Sequence, residues 1–338
     1  MNVLYTVKSI KKELLKIKPS KVVVVVSNNI QNIQSGIVKE VAVLSKAIKV
    51  IAVNDGEDLK SWKSIEKLLT KFLKLGLDRK SLIIAIGGGS IGDAVGFASS
   101  IYLRGIPYIN IPTTLLAQVD SAHGGKTGIN FGSYKNQIGT FHESVATVID
   151  PRFIQTLSEE EIVSGLGEII KAGYLADPSI LLSLQKETTA TLAQSKKLLT
   201  IIRKAIEVKR YCVLKDFKDK GVRQLLNLGH TVSHSIELKY KLSHGRAVII
   251  GMMEEFEMSE RAGLSKIGLT SSLKVLLEKL GISNEKKYIP DWNAVMKDKK
   301  VSGENLEWPI ITEIGKANLV KVSLNNFKDL FKGGKIYN

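Results

Sequence analysis

The sequence contains one cysteine, Cys212, among 338 residues. A single cysteine cannot form an intrachain disulfide or a cysteine-rich metal site, and its scarcity is typical of proteins in a reducing cytoplasm. Long apolar runs are also missing, because runs such as VVVVV at 22–26 are far too short to cross a bilayer. The N-terminus lacks the charged end, apolar block and small-residue cleavage site of a secretory signal. We therefore predict a cytoplasmic protein without a membrane helix.

Acidic residues are scarce relative to basic ones: 33 Asp and Glu stand against 49 Lys and Arg, a net charge of +16. Such a balance raises the hypothesis of a nucleic-acid partner. The lysines are dispersed, however, and alternate with apolar residues at helical spacing, as in KSWKSIEKLLTKFLKLG at 60–76. Solvated helix faces explain most of this charge. We expect no nucleic-acid partner, and an anionic small-molecule substrate would need only a few basic residues in one pocket.

The length and the 44% hydrophobic content predict two domains. In the first, residues 1–150, short β-branched runs alternate with helical patterns at 33–47 and 61–76, which indicates a Rossmann-like, doubly wound α/β sheet. The predicted strands are 21–27, 47–53, 81–89, 107–114 and 145–150. After Asp150 the patterns become long and helical, with few β-branched runs. We predict an all-α second domain at 151–338.

A glycine-rich turn, GGGSIGDAVG at 87–96, follows an apolar strand and precedes a helical pattern. Gly87, Gly88 and Gly89 would bring bare backbone N–H groups to a helix N-terminus, where they can hold the pyrophosphate of a dinucleotide. The turn departs from the GxGxxG fingerprint, so a tight turn without a ligand is the alternative. Asp93 would repel a phosphate, and we expect it to bind a ribose or nicotinamide group or to cap the helix.

The polar, glycine-rich stretch at 111–141 lies between predicted strands. Thr113 and Thr114 end a strand at the edge where open α/β sheets bind their ligands. A long irregular segment inside a compact domain is usually functional, although a solvated loop is the alternative. Lysine and asparagine side chains here suit phosphate or carboxylate groups. The candidate side chains that follow the threonines are Asp120, Lys126, Lys135 and Asn136.

Histidines cluster in the second half. His230 and His234 are four residues apart in a helical pattern and lie on one face, and His244 follows soon after. Glu168 is a carboxylate in an apolar helical setting, where an unpaired charge would be costly and a cation would remove that cost. Zinc with two histidines and one glutamate keeps an open position, as catalytic sites do. Histidines that merely pack in the core are the alternative.

Basic residues flank the proposed metal site in the sequence. Lys171 follows Glu168 by one helical turn, Lys209 lies in IEVKRY and Arg223 in VRQLLN. Several cations around a catalytic metal indicate an anionic substrate.

Taken together, these motifs resemble the 3-dehydroquinate synthase family, from about residue 21 to about residue 320. The motifs that carry the resemblance are GGGSIGDAVGF, YLRG, PTTLLAQVDS, GGKTGIN, KNQIGTF, GLGEIIKAG, KRYCVLKD and LLNLGHTVSHSIE. The resemblance implies a Rossmann-like domain followed by a helical domain, one NAD, one divalent metal (zinc, or else cobalt) and a homodimer. It also implies conversion of 3-deoxy-D-arabino-heptulosonate 7-phosphate to 3-dehydroquinate and phosphate, by transient oxidation with NAD, phosphate elimination, re-reduction and aldol cyclisation.

The resemblance also implies a role for individual residues. The implied metal ligands are Glu168, His230 and His244, which leaves His234 on the substrate side. The implied NAD-binding residues are Glu57, Lys60, Gly87, Gly88, Gly89, Asp93, Thr113, Thr114, Asp120, Lys126, Lys135 and Thr156. The implied substrate-binding and catalytic residues are Asp120, Lys126, Asn136, Lys171, Lys209, Arg223, Asn227 and His234. Arg104 would reach the substrate phosphate from a neighbouring subunit.

Several positions depart from the pattern of the family. Ser27 stands where an aspartate usually grips the adenosine ribose, which weakens the expected preference for NAD over NADP. Asn305 replaces a phosphate-binding lysine, for which Lys299 or Lys300 would substitute. The remaining departures are Ala122, His123 and Arg246. The alternatives are another sugar-phosphate cyclase, a metal-dependent glycerol or polyol dehydrogenase, and a basic nucleic-acid binder on the same scaffold.

Overall fold

The computed structural model describes most of the chain. The described residues are 2–132, 134–283, 288–291, 293, 295 and 305–333. The chain divides into two compact units, Met1–Leu157 and Ser158–Asn338. This division lies a few residues beyond the boundary predicted at Asp150. Among the described residues, no helix has both the length and the apolar character needed to span a bilayer.

The first unit is built on a six-stranded parallel sheet. Its strands, with those of a separate hairpin, are β1 (Val3–Leu4), β2 (Val22–Ser27), β3 (Lys49–Val53), β4 (Leu82–Gly87), β5 (Tyr108–Pro112), β6 (Lys126–Phe131), β7 (Tyr134–Phe141) and β8 (Ala146–Val148). The parallel sheet has the order β1-β8-β5-β4-β2-β3. Its central strands are buried along their whole length, which explains why they read as continuous apolar runs.

Helices cover both faces of this sheet. They are α1 (Ile10–Ile17), α2 (Asn28–Ile33), α3 (Ser35–Ser45), α4 (Trp62–Lys74) and α5 (Gly89–Ile101). Successive residues of β2 point to opposite sides: Val24 packs in a cluster with Val41 of α3, whereas Val25 packs in a cluster with Phe72 of α4. The predicted doubly wound α/β class is confirmed.

The stretch predicted to be irregular at 111–141 is largely ordered, and that part of the prediction is wrong. Strands β6 and β7 pair as an antiparallel hairpin, and a short π-helix spans Ala117–Ser121. The glycines that suggested a loop are required by the hairpin. A Cβ on Gly139 would overlap the backbone oxygen of Thr127, and one on Gly128 would lie 2.8 Å from the oxygen of Ile138.

The second unit is predominantly helical, as predicted. Its helices are α6 (Glu159–Leu175), α7 (Pro178–Leu184), α8 (Thr189–Leu192), α9 (Leu198–Lys215), α10 (His230–Tyr240), α11 (His244–Arg261), α12 (Leu269–Leu280) and α13 (Leu324–Phe331). The all-α prediction omitted one antiparallel pair, β9 (Asn305–Glu313) and β10 (Lys316–Ser323). The alternation of Leu306, Trp308 and Ile310, which are all buried, is the sequence signal for this pair.

Candidate functional site

The predicted metal ligands come from three helices of the second unit that cross at glycines. Glu168 lies within α6, whose N-terminus is closed by a capping box between Ser158 and Glu161. His230 and His244 are the first residues of α10 and α11. The backbones of α6 and α11 approach so closely that a Cβ on Gly167 would lie 2.5 Å from the oxygen of Gly245. This crossing sets the residues beside those glycines, Glu168 and His244, against each other.

The three side chains converge. Nε2 of His244 lies 3.2 Å and Nε2 of His230 lies 3.7 Å from Oε1 of Glu168. One ligand atom from each residue falls within 4.8 Å of the others, the separation expected around a single ion. The two histidine rings are 5.3 Å apart between centroids. The structure therefore brings together the three residues that the resemblance implied as ligands.

Neighbouring groups orient both histidines. Nδ1 of His230 lies 3.1 Å from the backbone oxygen of Leu228, and Nδ1 of His244 lies 3.2 Å from Oε2 of Glu237. Because these oxygens only accept hydrogen bonds, each Nδ1 carries a hydrogen. When Nε2 is deprotonated, its lone pair points towards Glu168. Acceptors behind the ligating ring are typical of histidines that bind metals.

Two of the three predicted ligands are in the protonation state that binds a metal. Burial opposes ionisation of Glu168, but the Lys171 ammonium 2.5 Å from Oε2 and the hydrogen bond from His244 hold the pKa of that carboxyl well below its usual range. Burial, and then Lys171, lower the pKa of His230 well below its usual value. An ionised carboxylate and a neutral imidazole are the forms that bind metals.

The pKa of His244 moves the other way. Burial lowers it, but the carboxylates of Glu168 and Glu237 outweigh burial and raise the pKa of His244 to about 9. Without a cation, therefore, the imidazolium of His244 compensates the negative charge of Glu168. A divalent ion would replace that proton, so metal binding releases it.

The predicted substrate-binding cations of this unit lie near one another. Lys171 is buried and also donates to the backbone oxygen of Leu226 at 2.6 Å. Arg223 is buried and donates to the oxygen of Phe217 at 2.7 Å. Burial raises the pKa of the Cys212 thiol, while Lys209, Lys171 and Arg223 act in the opposite direction. All three cations are thus within electrostatic range of one side chain.

Two further predicted substrate residues are exposed beside the metal ligands. The ring of His234 lies one helical turn beyond His230, with 5.5 Å between centroids. Asn227 ends the short 3-10 helix Val222–Asn227 that leads to His230.

The glycine turn of the first unit leaves a bare helix N-terminus. β4 ends at Gly87 and α5 begins at Gly89, with no side chain capping the helix at Gly88. A Cβ on Gly88 would meet Thr114 at 3.3 Å, and one on Gly89 would meet the hydroxyl of Ser121 at 3.1 Å. The absence of these Cβ atoms keeps the backbone N–H groups accessible. This geometry suits a pyrophosphate.

Asp93 lies inside α5 rather than at its start, so the suggestion that it caps the helix is wrong. Its carboxylate instead forms an ion pair with Lys60, with 2.8 Å between Oδ2 and Nζ. Burial raises the pKa of Asp93 even though Lys60 acts to lower it. Lys60 is buried and also donates to the side-chain oxygen of Asn136, whose backbone is left-handed at φ 57°. Two predicted cofactor residues and one predicted substrate residue thus form a single hydrogen-bonded group.

Sequence analysis missed a residue that joins this group together. Asn130 donates from Nδ2 to Oε2 of Glu57 at 2.6 Å and accepts at Oδ1 from the backbone N–H of Asn136 at 2.9 Å. Its own backbone N–H donates to the oxygen of Lys60 at 2.8 Å. Asn130 therefore contacts three predicted site residues. The signal for it was its place in GGKTGIN.

The remaining predicted residues of the first unit lie on several elements, and one of them, Lys126, lines the same small cavity as Gly88, Gly89 and Asp93. Asp120 lies in the π-helix, Lys126 begins β6, and Lys135 is exposed on β7. Thr156 accepts at its hydroxyl from the side chain of Gln34 at 2.7 Å. Thr113 is buried beside the turn and donates from its backbone N–H to the oxygen of Gly87 at 3.0 Å. Arg104 is exposed, with a left-handed backbone at φ 65°.

The departures from the family pattern have local explanations in two cases. Arg246 forms an ion pair with Glu160, with 2.8 Å between Nη2 and Oε2. His123 is buried and its Nε2 lies 2.7 Å from the backbone oxygen of Gln118. Asn305 is exposed at the start of β9. Lys299 and Lys300 lie outside the described residues.

Comparison with known proteins agrees with the resemblance. Family models of the N-terminal and C-terminal regions of 3-dehydroquinate synthase match residues 50–164 and 165–301. The 3-dehydroquinate synthase of Streptococcus pneumoniae is 37% identical over 327 residues, covering 92% of this chain and 90% of that protein.

Solved structures give the same fold. The 2-epi-5-epi-valiolone synthase of Streptomyces hygroscopicus subsp. jinggangensis, with NAD+ and Zn2+ bound, superposes with a TM-score of 0.86 at 25% identity, over 98% of this chain and 96% of that one. A 2-deoxy-scyllo-inosose synthase complexed with carbaglucose-6-phosphate, NAD+ and Co2+ superposes with a TM-score of 0.83 at 22% identity, with the same coverage. From the two family-model matches and the extent of its identity to the streptococcal enzyme, the chain belongs to the 3-dehydroquinate synthase family.

Proposed function

We propose that this chain converts 3-deoxy-D-arabino-heptulosonate 7-phosphate to 3-dehydroquinate and phosphate. The observation that carries the proposal is the convergence of Glu168, His230 and His244, with an oriented acceptor behind each histidine, in a chain of this family. We assign NAD binding to the first unit, and metal binding and most of the substrate binding to the second. The proposal includes a cytoplasmic location.

Glu168, His230 and His244 would hold the divalent metal, which we take to be zinc or else cobalt. Two nitrogens and one carboxylate oxygen are a donor set that zinc accepts, and they leave a coordination position for substrate. When bound, such an ion acts as a Lewis acid on an oxygen of the substrate. The chain contributes the ionised state of Glu168 through Lys171, and the orientation of the two imidazoles through Leu228 and Glu237.

The first unit would hold NAD at the glycine turn. The N–H groups at Gly88 and Gly89 would bind the pyrophosphate, with Thr113 and Thr114 beside them. Lys60, Asp93 and their neighbours supply polar groups for the rest of the cofactor. We assign NAD binding to Glu57, Lys60, Asp93, Asp120, Lys126, Lys135 and Thr156 in addition. A cofactor that accepts a hydride and returns it is not consumed.

The substrate is an anion, and the chain supplies cations, amides, one histidine and one carboxylate for it. In the second unit these are Lys171, Lys209, Arg223, Asn227 and His234, and in the first unit Asp120, Lys126 and Asn136. Holding one reactive conformer of a flexible sugar phosphate lowers the entropic part of the barrier. We further propose a homodimer in which Arg104 of a second copy binds the substrate phosphate, since Arg104 is exposed on its own chain.

The test is release of phosphate from the heptulosonate phosphate by purified protein supplied with NAD, with and without a chelator. We expect release that stops when the metal is removed and returns when zinc or cobalt is restored. No NADH should accumulate during turnover. Steady accumulation of NADH from a polyol would instead indicate a dehydrogenase, and turnover of sedoheptulose 7-phosphate would indicate a different cyclase.

A further inference from the structure

A buried carboxyl group of α11 contacts the turn that leads into His230. Glu255 lies on α11, about three helical turns beyond His244, and is almost fully buried. Its Oε2 accepts a hydrogen bond from the backbone N–H of Gly229 at 2.9 Å. Gly229 is the residue immediately before α10, and His230 is the first residue of that helix. The carboxyl group of Glu255 is therefore bound to the residue next to a predicted metal ligand.

The residues of α10 cannot provide an acceptor for this N–H group. In a capping box, the third residue of a helix carries the side chain that accepts from the N–H of the residue before the helix. The third residue of α10 is Val232, whose side chain has no polar atom. The N–H of Gly229 is buried, and a buried N–H group needs an acceptor. Glu255 thus supplies from another helix the acceptor that α10 lacks.

The same hydrogen bond fixes the acceptor behind the ring of His230. The N–H of Gly229 and the C=O of Leu228 belong to one peptide group, which is planar and trans, so the two point in opposite directions. The C=O of Leu228 accepts from Nδ1 of His230 at 3.1 Å. A rotation of this peptide group would break both hydrogen bonds at once. The orientation of the His230 ring is thus coupled to the carboxyl group of Glu255.

Close packing and a second donor hold this arrangement in place. A Cβ on Gly229 would lie 2.8 Å from the backbone oxygen of Val248, and one on Gly251 would overlap the backbone oxygen of Gly229, so the turn lies directly against α11. Oε2 of Glu255 also accepts from Nε1 of Trp308 at 3.4 Å. Trp308 belongs to β9 and is fully buried. The carboxyl group therefore has β9 on one side and the turn before His230 on the other.

We propose that Glu255 is a positioning residue for the metal site, which raises the affinity for the metal by orienting His230 through the peptide group between Leu228 and Gly229. The hydrogen bond to the N–H of this peptide group also makes its C=O a stronger acceptor, because hydrogen bonds in a chain polarise one another. Glu255 acts through this peptide group and not as a ligand. This inference rests on the proposed metal site.

The experiment measures zinc affinity of the full chain by competition with a chromogenic chelator, without NAD or substrate. Glu255→Met keeps the length of the side chain but removes the acceptor, and should weaken zinc binding about tenfold, the lower end of the range for groups behind a metal ligand. Glu255→Asp is the milder variant, needed if methionine prevents folding. It withdraws the carboxyl group by one methylene group and should weaken zinc binding by a smaller factor. Glu255→Gln keeps an oxygen acceptor for Gly229 and should bind zinc as the unaltered chain does.

Trp308→Phe is the matched control for a general loss of stability. It removes the N–H donor and leaves a cavity in the core, but Gly229 keeps its acceptor. It should unfold at a lower temperature than the unaltered chain and bind zinc with unchanged affinity. The visible absorption spectrum of bound cobalt should likewise change in Glu255→Met, because the His230 ring turns, and stay the same in Trp308→Phe.

Two results would overturn the inference. One is a zinc affinity that falls with thermal stability in all variants alike, Trp308→Phe included, because Glu255 would then have only a structural role. The other is an unchanged zinc affinity in whichever of Glu255→Met and Glu255→Asp fold. If the unaltered chain itself bound no zinc, the proposed metal site would fail instead.

Discussion

The backbones of Gly167 and Gly245 are in contact where α6 crosses α11. Glu168 follows the first glycine and His244 precedes the second, and both are predicted metal ligands. The remaining ligand, His230, also lies beside a close contact between glycines. Gly229 precedes His230, and a Cβ on Gly251 of α11 would overlap the backbone oxygen of Gly229. The convergence of the ligands therefore depends on how closely three helices approach.

Gly167→Ala should separate α6 from α11. The new Cβ would lie 2.5 Å from the oxygen of Gly245, which is backbone and cannot rotate away. We expect a loss of about 1–3 kcal/mol in the free energy of unfolding, the usual cost of overpacking, and weaker zinc binding at a temperature where the variant is folded. Denaturant unfolding and zinc titration measure the two effects.

Gly36→Ala is the control for this substitution. Gly36 lies in α3, its φ is not left-handed, and a Cβ there would meet nothing within 4 Å. Alanine should leave zinc binding unchanged and raise the free energy of unfolding by about 0.5–1 kcal/mol. Equal zinc binding by Gly167→Ala and Gly36→Ala would contradict the role given to the helix crossing.

Glu168→Gln and His230→Ala should each lose the metal and nearly all phosphate release. Glutamine lacks the charge that a cation needs, and it leaves the buried ammonium of Lys171 without its counter-ion. Breaking a buried pair costs about 3–5 kcal/mol, so unfolding must be measured alongside metal content.

Lys126→Ala is the contrasting variant. It should keep the metal but lose phosphate release, because Lys126 is assigned to the substrate. Normal turnover by Lys126→Ala would refute the assignment of Lys126 to the substrate.

Glu237→Gln tests the group behind the metal rather than a ligand. Its carboxylate accepts from Nδ1 of His244 at 3.2 Å, which orients the ring. Loss of such a partner typically weakens metal binding about 10–100-fold without abolishing it. We therefore expect an affinity between those of the unaltered chain and Glu168→Gln, measured by competition with a chromogenic chelator. A metal affinity equal to that of the unaltered chain would show that Glu237 does not contribute to metal binding.

The sequence predicted the sheet better than it predicted the site. Buried parallel strands such as β2 and β4 read as unbroken apolar runs, so their places in the chain were evident. The hairpin of β6 and β7 was missed because Gly128 and Gly139 suggest a loop, although they are there to let two backbones approach. Spacing identified the histidines, but the approach of α6 to α11 that brings them to Glu168 is a tertiary property.

Hydrogen-bond partners that are far apart in the sequence could not be predicted for the same reason. In the sequence Asn130 is one more polar residue of the stretch at 111–141, and only the fold brings it to Glu57 and Asn136. Likewise, only the pairing of β2 with β3 brings the side chains of Ser27 and Asp55 into hydrogen-bond contact.

Asn130→Ala should weaken binding of both cofactor and substrate while leaving the metal in place. It removes the hydrogen bonds to Glu57 and to the left-handed backbone of Asn136. Loss of a hydrogen bond to a charged group corresponds to about a tenfold change, which we expect in the dissociation constant of NAD and in the KM for the heptulosonate phosphate. Asn130→Asp keeps an acceptor for Asn136 but repels Glu57, so its effect should be intermediate.

The control for Asn130 is Asn318→Ala, since Asn318 is exposed on β10 in the other unit. It should change neither constant. Unchanged constants in Asn130→Ala as well would show that Asn130 does not position the site.

Asp150 should make the first unit sensitive to acid. Burial alone would raise its pKa, but hydrogen bonds from Arg152 and from the backbone N–H of Val7 outweigh burial and lower the pKa. The unfolded chain therefore takes up the proton first as pH falls. The stabilisation from Asp150 is complete above about pH 4, the ordinary pKa of an aspartate, and is lost as pH falls through the lowered value.

Comparing the unaltered chain with Asp150→Asn isolates this contribution. Asparagine cannot titrate, yet it keeps an oxygen that can accept from Val7. At neutral pH the variant should be less stable by about 1.5–3 kcal/mol, the value of hydrogen bonds to a charged partner. The difference should begin to shrink as pH falls below about 4 and should approach zero below the lowered pKa of Asp150, where the unaltered side chain is also neutral. Denaturant unfolding of both proteins across this pH range measures it, and a difference that stays constant with pH would mean that the charge of Asp150 contributes nothing.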